Sequence, residues 1–286
     1  MQDARADTSA FLRGLFGLEG QVAVVTGGTG VLGGAMARGL ARAGAKVGIL
    51  GRREEKAEGV ATAIQEAGGE AMPLPADVLR KEQLQAARDA LLGRWGRVDI
   101  LVNAAGGNVP AATLAPGASF WELPEAAFRE VFDLNLLGTV LPSQVFGQAM
   151  AENGAQDSSG SIVNISSATA ARAVSRVVGY SAAKAAVENF TQWLGVQLAR
   201  EHGDRLRVNA IAPGWFIAEQ NRAVMLDPDG SPSARGRTVL AHSPTGRFGE
   251  PDELVGTVIW LCGPGARFVN GAVIPVDGGF GAWTGV

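Results

Sequence analysis

Some residue types are scarce in this chain, and each scarcity argues against a class of protein. A single cysteine, Cys262, stands among 286 residues, so no internal disulfide can form and a reducing compartment is expected. The two histidines form no cluster with cysteine or acidic residues at metal-ligand spacing, so no metal site is predicted.

Long apolar runs and a surplus of positive charge are also absent. No stretch reaches the roughly 18 apolar residues of a membrane span, and the N-terminus mixes acidic with apolar residues, unlike a signal peptide. The net charge is −3 and no basic stripe is present, which argues against nucleic acid as a partner. We therefore expect a soluble, cytoplasmic protein with neither a membrane nor a nucleic-acid partner.

Short apolar runs that end in turns alternate with segments of helical periodicity along the chain. The runs that predict strands are QVAVVTG, AKVGILG, EAMPLPADV, VDILVNAAG, GSIVNISS, LRVNAIAPG and GAVIPVDGG. This alternation predicts the α/β class, with a Rossmann-type doubly wound parallel sheet of about seven strands and helices on both faces.

Domain organisation follows from the same pattern. No linker or internal repeat interrupts the alternation, so one domain is expected over 1–286, with an N-terminal extension over 1–17. Segment 215–245 departs from the alternation and contains a stretch rich in proline, glycine, serine and charge. We expect this segment to cross the surface as a lid over a binding site.

The first predicted strand leads into the stretch TGGTGVLG, and a helix-period segment follows it. Glycines at this point let the backbone approach a pyrophosphate, and the helix N-terminus offers free N–H groups to the anion. A tight turn without a ligand is the alternative. The residues predicted to bind a dinucleotide here are Gly27, Gly28, Thr29, Gly30, Val31, Leu32 and Gly33.

The second predicted strand ends at Leu50-Gly51-Arg52-Arg53. A cofactor with a free ribose 2′-hydroxyl usually meets an acidic residue at this point, whereas guanidinium groups suit a 2′-phosphate. Arg52 and Arg53 therefore predict a preference for NADP(H), with NAD(H) also possible. The alternative is that both are ordinary solvated charges at the start of a helix.

The one tyrosine of the chain, Tyr180, lies four residues before Lys184 in a helix-period segment, so the two side chains share a helix face. A phenol has a pKa of about 10, and a neighbouring ammonium group is expected to lower that pKa. Ser167 lies thirteen residues upstream of Tyr180, at the end of a predicted strand, where open α/β sheets bind their ligands. These three side chains predict a site that moves a proton.

In these residues the chain resembles the short-chain dehydrogenase/reductase superfamily, whose Ser–Tyr–Lys triad matches Ser167, Tyr180 and Lys184 in type, order and spacing. Further motifs match from about residue 18 to the C-terminus. They are the NAG motif at Asn103-Ala104-Ala105-Gly106, Asn135 in LNLLG, Asp77-Val78 beside the adenine pocket, and Pro213-Gly214 after the sixth strand.

The resemblance implies an NAD(P)-dependent enzyme that acts on CH–OH groups. It implies that Tyr180 is the general acid/base, that Lys184 tunes it and holds the nicotinamide ribose, and that Ser167 binds the substrate oxygen. It also implies that Asn135 holds a water that links Lys184 to solvent. The further cofactor-binding residues that it implies are Asp77, Val78, Asn103, Ala104, Ala105, Gly106, Tyr180, Lys184, Pro213, Gly214 and Phe216.

Two positions depart from the usual pattern of the superfamily. Val31 stands where the short branch has a glycine, so the loop follows the extended branch, which includes nucleotide-sugar epimerases. Ala218 replaces a threonine that commonly contacts the cofactor. An epimerase and a non-catalytic cofactor-binding module are the less favoured alternatives, because the larger C-terminal domain of the epimerases is absent and both Tyr180 and Lys184 are present.

Longer stretches, such as NAAGGNVP and PGWFIAEQNR, resemble the short-chain type of D-mannonate oxidoreductase, which interconverts D-fructuronate and D-mannonate. The resemblance implies a keto-sugar acid as the substrate. The alternatives are another sugar or polyol dehydrogenase, similar to gluconate 5-dehydrogenase, and a 3-oxoacyl reductase.

An anionic sugar acid needs a cation near the reacting carbon, and arginines follow Ser167 and lie in the expected lid. Solvated or interface charges are the alternative for each arginine. The predicted substrate-binding residues are Asn108, Ser167, Arg172, Arg176, Trp215, Gln220, Asn221 and Arg222. Relatives usually form tetramers or dimers, and the helix that carries Tyr180 has extra apolar surface, so we expect a homo-oligomer.

Overall fold

Seven parallel strands form the centre of the molecule in the order β3-β2-β1-β4-β5-β6-β7. The computed structural model describes residues 2–153 and 159–284, with the backbone alone described in 2–6. Residue 1, 154–158 and 285–286 of the expected domain lie outside the described residues. The strands are β1 Val22–Thr26, β2 Lys46–Gly51, β3 Glu70–Pro75, β4 Ile100–Asn103, β5 Gly160–Ile165, β6 Leu206–Pro213 and β7 Val273–Val276. The predicted Rossmann-type fold is confirmed.

The helices cover both faces of this sheet. Their bounds are α1 Gln2–Phe16, α2 Val31–Arg42, α3 Glu54–Glu66, α4 Lys81–Trp95, α5 Glu125–Phe132, α6 Gly138–Glu152, α7 Val178–His202, α8 Arg222–Met225, α9 Ala234–Ala241 and α10 Val255–Cys262. Helices α2, α3 and α10 pack on one face, and α4, α6 and α7 pack on the other.

Alternating side chains of the inner strands supply both cores. In β1, Ala23 and Val25 face one core while Val22 and Val24 face the other. Strands that are buried on both faces read as continuous apolar runs, which is why they could be found in the sequence. Because β1 is flanked by β2 and β4, the strand order reverses at β1 and β4, and a crevice opens beyond the carboxyl ends of these strands.

Three helical features differ from the sequence expectations. The N-terminal extension contains the helix α1, which packs against Gly263 and Gly265 through Leu15. Residues 125–151 have helical periodicity in the sequence, but a π-helical turn, Asp133–Leu137, separates α5 from α6. Segment 215–245 contains the short helices α8 and α9. Within the described ranges, no helix is long and apolar enough to cross a membrane.

Candidate active site

The glycine loop joins β1 to α2 at the strand-order reversal. Gly27 has a φ of +64°, and a Cβ there would lie 2.7 Å from the Ala104 carbonyl oxygen. A Cβ on Gly33 would overlap the Gly27 carbonyl oxygen, so this glycine lets α2 pack on the loop. Val31 is the first residue of α2, where the backbone is helical. Gly27 and Gly33, the two glycines that both loop patterns share, therefore each leave no room for a Cβ.

The start of α2 has the features of an anion site. No side chain caps the helix, its N-cap is Gly30, and its first turn holds no acidic residue. The first N–H groups of a helix have no partner within the helix and favour a negative group such as a pyrophosphate. The loop is tied to the end of β2 because Gly28 N donates to Leu50 O over 3.2 Å.

The residues expected beside the adenosine end lie along the carboxyl ends of β2 and β3. Arg52 and Arg53 are exposed, and Arg53 precedes the first turn of α3. Asp77 Oδ1 accepts from Leu79 N over 3.0 Å, which fixes the turn after β3. Val78 is buried and packs on Gly138, at the end of the π-helical turn.

The NAAG motif crosses the centre of the site. Asn103 is 1% exposed and donates to Asn164 Oδ1 and to Ser143 Oγ, each over 2.9 Å. Ala105 N donates to Thr26 Oγ1 over 3.1 Å, which holds the motif against β1. A Cβ on Gly106 would lie 3.1 Å from Lys184 Nζ, so glycine lets the backbone pass close to this amine.

The structure brings Ser167, Tyr180 and Lys184 together at the carboxyl end of β5. Ser167 follows this strand, and the other two lie one turn apart near the start of α7. Tyr180 hydrogen-bonds to Ser167 and packs against Val109 and its apolar neighbours. Lys184 Nζ donates to Ile165 O over 2.7 Å and lies 5.7 Å from the centre of the Tyr180 ring.

Burial dominates the electrostatics of these groups. It lowers the pKa of Lys184, which is 3% exposed, to about 8. Burial raises the pKa of Tyr180, and the Ser167 hydrogen bond offsets part of this rise. The pKa of Tyr180 therefore lies above its ordinary value, not below it as expected, because desolvation outweighs the stabilisation of the phenolate.

Asn135 lies in the π-helical turn and is fully buried. Its Nδ2 donates to Gly107 O over 2.8 Å and to Val131 O over 2.7 Å, and its Oδ1 accepts from Gly107 N over 3.0 Å. The π-helical turn thus places the Asn135 amide where it bonds both the N–H and the C=O of Gly107, close to Lys184. A π-turn inside a helix is frequent at functional sites.

Two of the arginines predicted to bind substrate donate to backbone carbonyls. Arg172 donates through Nε over 2.9 Å, and through Nη2, to Gly281 O. Arg176 Nε donates to Leu114 O over 2.7 Å. Arg222 is exposed at the start of α8. Within the described residues its guanidinium group has no hydrogen-bond or ion-pair partner.

Three further predicted residues lie at the start of segment 215–245. Trp215 meets Phe280 edge-on, with ring centres 5.8 Å apart, while Phe216 is buried against Gly249. Asn221 Oδ1 accepts from Ala218 N, and its Nδ2 donates to Phe216 O, each over 2.8 Å, so its amide holds the turn before α8.

Four other predicted residues lie in or beside these segments. The Gln220 amide lies against Gly107, and Asn108 donates to Thr113. Pro213 ends β6 and Gly214 packs on Asp277.

A C-terminal turn was missed from the sequence. Asp277 accepts from Gly279 N over 2.9 Å and from Gly281 N over 2.7 Å, and it thereby presents Phe280 to Trp215. The signal was the Asp-Gly-Gly stretch, since aspartate followed by glycine favours such a turn. This turn places Phe280 against Trp215, one of the residues predicted to bind substrate.

Comparison with known proteins gives the family. A family profile described as enoyl-(acyl carrier protein) reductase matches residues 29–281. The chain belongs to the short-chain dehydrogenase/reductase family. It is an NAD(P)-dependent oxidoreductase, as the motif resemblance implied.

Relatives cover nearly the whole chain. An uncharacterized oxidoreductase of Bacillus subtilis, UxuB, is 45% identical over 278 residues, which are 94% of this chain and 98% of the relative. A candidate D-mannonate oxidoreductase from Haemophilus influenzae, solved with bound NAD, is 38% identical with a TM-score of 0.86, covering 96% of this chain and 100% of that one. A gluconate 5-dehydrogenase from Burkholderia cenocepacia, in complex with NADP and tartrate, is 33% identical with a TM-score of 0.85 and the same coverage, 96% and 100%.

The residues present fit a nicotinamide dinucleotide. The uncapped start of α2 suits the pyrophosphate. Because residue 106 is a glycine, no side chain stands between the backbone at this position and the Lys184 amine. Lys184 and Tyr180 lie together at the other end of the same crevice. The uncapped start of α2 and the cluster of Ser167, Tyr180 and Lys184 therefore both lie at the carboxyl ends of the strands.

Proposed function

We propose that this oxidoreductase interconverts a keto-sugar acid and its hydroxy acid, with D-fructuronate and D-mannonate as the substrate pair. The observation that carries the proposal is the hydrogen-bonded Ser167–Tyr180 pair beside Lys184, at the carboxyl end of β5. The likeness to a candidate D-mannonate oxidoreductase over 96% of the chain supports the choice of substrate.

A nicotinamide cofactor held by the start of α2 and by Lys184 would supply or accept a hydride at the substrate carbon. Ser167 Oγ hydrogen-bonds the substrate oxygen, and Tyr180 gives that oxygen its proton during reduction and removes it during oxidation. Lys184, when protonated, stabilises the phenolate that remains after the proton has left Tyr180. Asn135 holds Gly107 and so positions the backbone beside Lys184; its water link to solvent stays a prediction.

Arg222 is the proposed partner of the substrate carboxylate. The guanidinium groups of Arg172 and Arg176 already donate to Gly281 O and Leu114 O, whereas Arg222 is exposed on the lid. Asn108, Gln220 and Trp215 are proposed to line the pocket beside it. Segment 215–245 is proposed as the lid of a single domain over 1–286, because Arg235 Nη1 on α9 donates to Ser175 Oγ over 3.0 Å.

The proposed cofactor preference is for NADP(H). Arg52 and Arg53 are exposed at the end of β2, and Gly51 stands where an acidic residue usually meets a free ribose 2′-hydroxyl. The gluconate 5-dehydrogenase relative holds NADP, while the candidate D-mannonate oxidoreductase holds NAD. A ratio of kcat/KM for NADPH over NADH close to one would reject this preference.

A second candidate substrate is 5-keto-D-gluconate. It is favoured by the gluconate 5-dehydrogenase relative, whose structure also holds tartrate, a small hydroxy acid. Both candidates carry a carboxylate, so Arg222 would serve either one.

The test follows NADPH and NADH absorbance with D-fructuronate, 5-keto-D-gluconate and an uncharged keto-sugar. Arg222→Ala is expected to raise KM for the preferred acid about tenfold or more, the value of one charge-assisted hydrogen bond, and to leave the uncharged ketone unaffected. Arg237→Ala is the matched control, because this exposed lid arginine donates to Pro232 O. Turnover of neither acid would reject the substrate class.

A further inference from the structure

Thr169 lies two residues after Ser167, in the segment that joins β5 to α7. Each of these residues is 8% exposed. Two donors of Thr169 meet Ser167 Oγ, the backbone N–H over 3.2 Å and the hydroxyl over 3.1 Å. Within the described residues, Ser167 Oγ is the one hydrogen-bond partner of the Thr169 hydroxyl. The side chain of Thr169 is therefore directed at the serine that is proposed to bind the substrate oxygen.

The hydrogen bonds at Ser167 Oγ decide where its own proton points. A serine hydroxyl has one O–H donor and two acceptor lone pairs. The N–H and the hydroxyl of Thr169 occupy both lone pairs, so the Ser167 proton is left to donate to another group. The remaining partner is Tyr180, and the hydrogen bond from Ser167 lowers the pKa of that phenol, as expected when Ser167 donates to the phenolate oxygen. Donation therefore runs from Thr169 through Ser167 to Tyr180.

The backbone of this segment is held without the Thr169 side chain. Ala168 N donates to Pro213 O on β6 over 2.9 Å, and Ala170 N donates to Ser167 O over 2.9 Å, which closes a turn. Loss of the Thr169 hydroxyl is therefore expected to change the hydrogen bonding of Ser167 and to leave the path of the chain unchanged.

We propose that Thr169 is a positioning residue for the proton transfer, because its hydroxyl holds Ser167 as a hydrogen-bond donor toward Tyr180 and toward the substrate oxygen. In a chain of hydrogen bonds each bond polarises the next, so donation by Thr169 makes Ser167 a stronger donor. During reduction the Ser167 O–H then stabilises the negative charge that develops on the substrate oxygen. The inference rests on the proposed function and adds a residue to its mechanism.

The charged group that faces Tyr180 is Lys184 on the same helix, α7, with its Nζ 5.7 Å from the ring centre. The side chains that pack on the ring from segment 109–112 and from α5 are apolar. Glu188, one turn beyond Lys184, accepts from Ser166 Oγ over 2.8 Å. A substitution at Thr169 leaves these neighbours in place, so a change in the pKa of Tyr180 reports the hydrogen bond from Ser167.

The test uses the fact that Tyr180 is the one tyrosine of the chain. Protein grown with fluorotyrosine carries a single label, and its phenol is more acidic because fluorine withdraws electrons from the ring. Fluorine NMR of the ligand-free protein then gives the pKa of this phenol without any substrate. Thr169→Val removes the hydroxyl and keeps the branched shape. It is expected to raise that pKa by about 0.4 to 1 unit, the value of one neutral hydrogen bond.

Three further variants show whether this effect is specific. Thr169→Ser keeps a hydroxyl and is expected to leave the pKa within about 0.2 unit of that of the unchanged protein. Ser161→Ala is the matched control, because it removes a buried hydroxyl at the other end of β5, where it donates to Leu261 O over 2.9 Å. It should leave the pKa unchanged. In a Ser167→Ala background the effect of Thr169→Val must vanish, and a rise of the same size there would overturn the inference.

The sign of the shift decides between the two possible directions of donation. If Ser167 donated to Thr169, Thr169→Val would release the Ser167 proton toward Tyr180 and the pKa of the phenol would fall. A fall or an unchanged pKa overturns the inference, and a rise supports it. If Thr169→Val does not fold, as judged by circular dichroism, Thr169→Ala replaces it with the same expected rise.

Turnover distinguishes this inference from the proposed function. With the preferred acid of the panel, Thr169→Val is expected to lower kcat about three- to tenfold and to leave KM for NADPH within about twofold, while Thr169→Ser restores kcat. Turnover of no sugar acid would reject the substrate class but leave the NMR comparison unaffected. An unchanged pKa of the phenol in Thr169→Val would reject the role of Thr169 alone.

Discussion

At the scale of single residues, the site depends on a lysine that the fold removes from water. Lys184 is 3% exposed, and within the described residues its Nζ has one hydrogen-bond acceptor, Ile165 O at 2.7 Å. Burial lowers its pKa from 10.5 to about 8. Between these values the unfolded chain holds the proton and the folded chain has released it, so the stability contributed by this residue rises with pH.

The first prediction concerns this rise. The free energy of unfolding of the wild type minus that of Lys184→Met is expected to increase by roughly 3 kcal/mol as the pH passes from 8 to 10.5, because one pKa unit corresponds to about 1.4 kcal/mol. Urea unfolding across this pH range measures the difference. The exposed Lys81→Met serves as the control, and a difference for Lys184→Met that fell or stayed level with pH would contradict the account.

Single residues also mark the limit of what the sequence could predict. The triad was found because residue type, order and spacing carry its chemistry, and the structure brings those three side chains together. The partners of Arg172 and Arg176 could not be found, since Gly281 O and Leu114 O lie far away in sequence. Every residue has a backbone carbonyl, so the residue types do not show which carbonyl will accept a hydrogen bond from a given arginine.

At the scale of elements, the turn that enters α7 carries backbone strain. Arg176 has a φ of +79° and is the one non-glycine residue with positive φ in the part of the chain that the structure describes. Its Nε donates to Leu114 O, and its own carbonyl accepts from Leu114 N over 3.0 Å. Two bonds to one residue hold a conformation that an L-residue rarely adopts, four positions before Tyr180.

The second prediction separates that strain from the side-chain contact. Arg176→Gly and Arg176→Ala both lose the Leu114 contact of the side chain, but only glycine adopts positive φ freely. Arg176→Gly is therefore expected to be about 1 kcal/mol more stable than Arg176→Ala, and urea unfolding compares them. At Gly59, in the interior of α3, the order should reverse, with Gly59→Ala more stable than the wild type. If Arg176→Ala were as stable as Arg176→Gly, or more stable, the result would contradict the presence of strain in this turn.

Element boundaries were predictable where periodicity decides them. The seven strands were identified by buried apolar runs, and the long helix α7 by its period. Helix α1 was expected only as an extension, because its packing depends on Gly263 and Gly265 at the far end of the sequence. The π-helical turn, Asp133–Leu137, follows helical periodicity in sequence but is bonded through Asn135 to Gly107, which no local pattern reveals.

At the scale of the whole molecule, α7 leaves apolar side chains in water. Trp193 is 60% exposed and Val196 is 55% exposed on this helix. Exposed aromatic and branched residues on a long helix are typical of an interface between copies. The proposed homo-oligomer, a dimer or a tetramer, would bury them.

The third prediction follows from this surface. Light scattering at micromolar concentration is expected to give the mass of a dimer or tetramer, and Trp193→Glu is expected to lower that mass because it places a charge in the interface. Glu201→Gln, on the exposed end of the same helix, is the control and should leave the mass unchanged. A wild-type monomer would contradict the proposed assembly.

The central claim is that Tyr180 moves the proton in this oxidoreductase, and Tyr180→Phe tests it most directly. Phenylalanine keeps the ring that packs on Val109, Ala112, Ala127 and Val131 while removing the hydroxyl. With the preferred substrate of the panel, kcat is expected to fall about 10²–10⁴-fold, and the NADPH dissociation constant should stay within about threefold, as expected when at most one weak contact is lost. A variant that binds NADPH normally and retains wild-type kcat would contradict the assignment of Tyr180 as the acid.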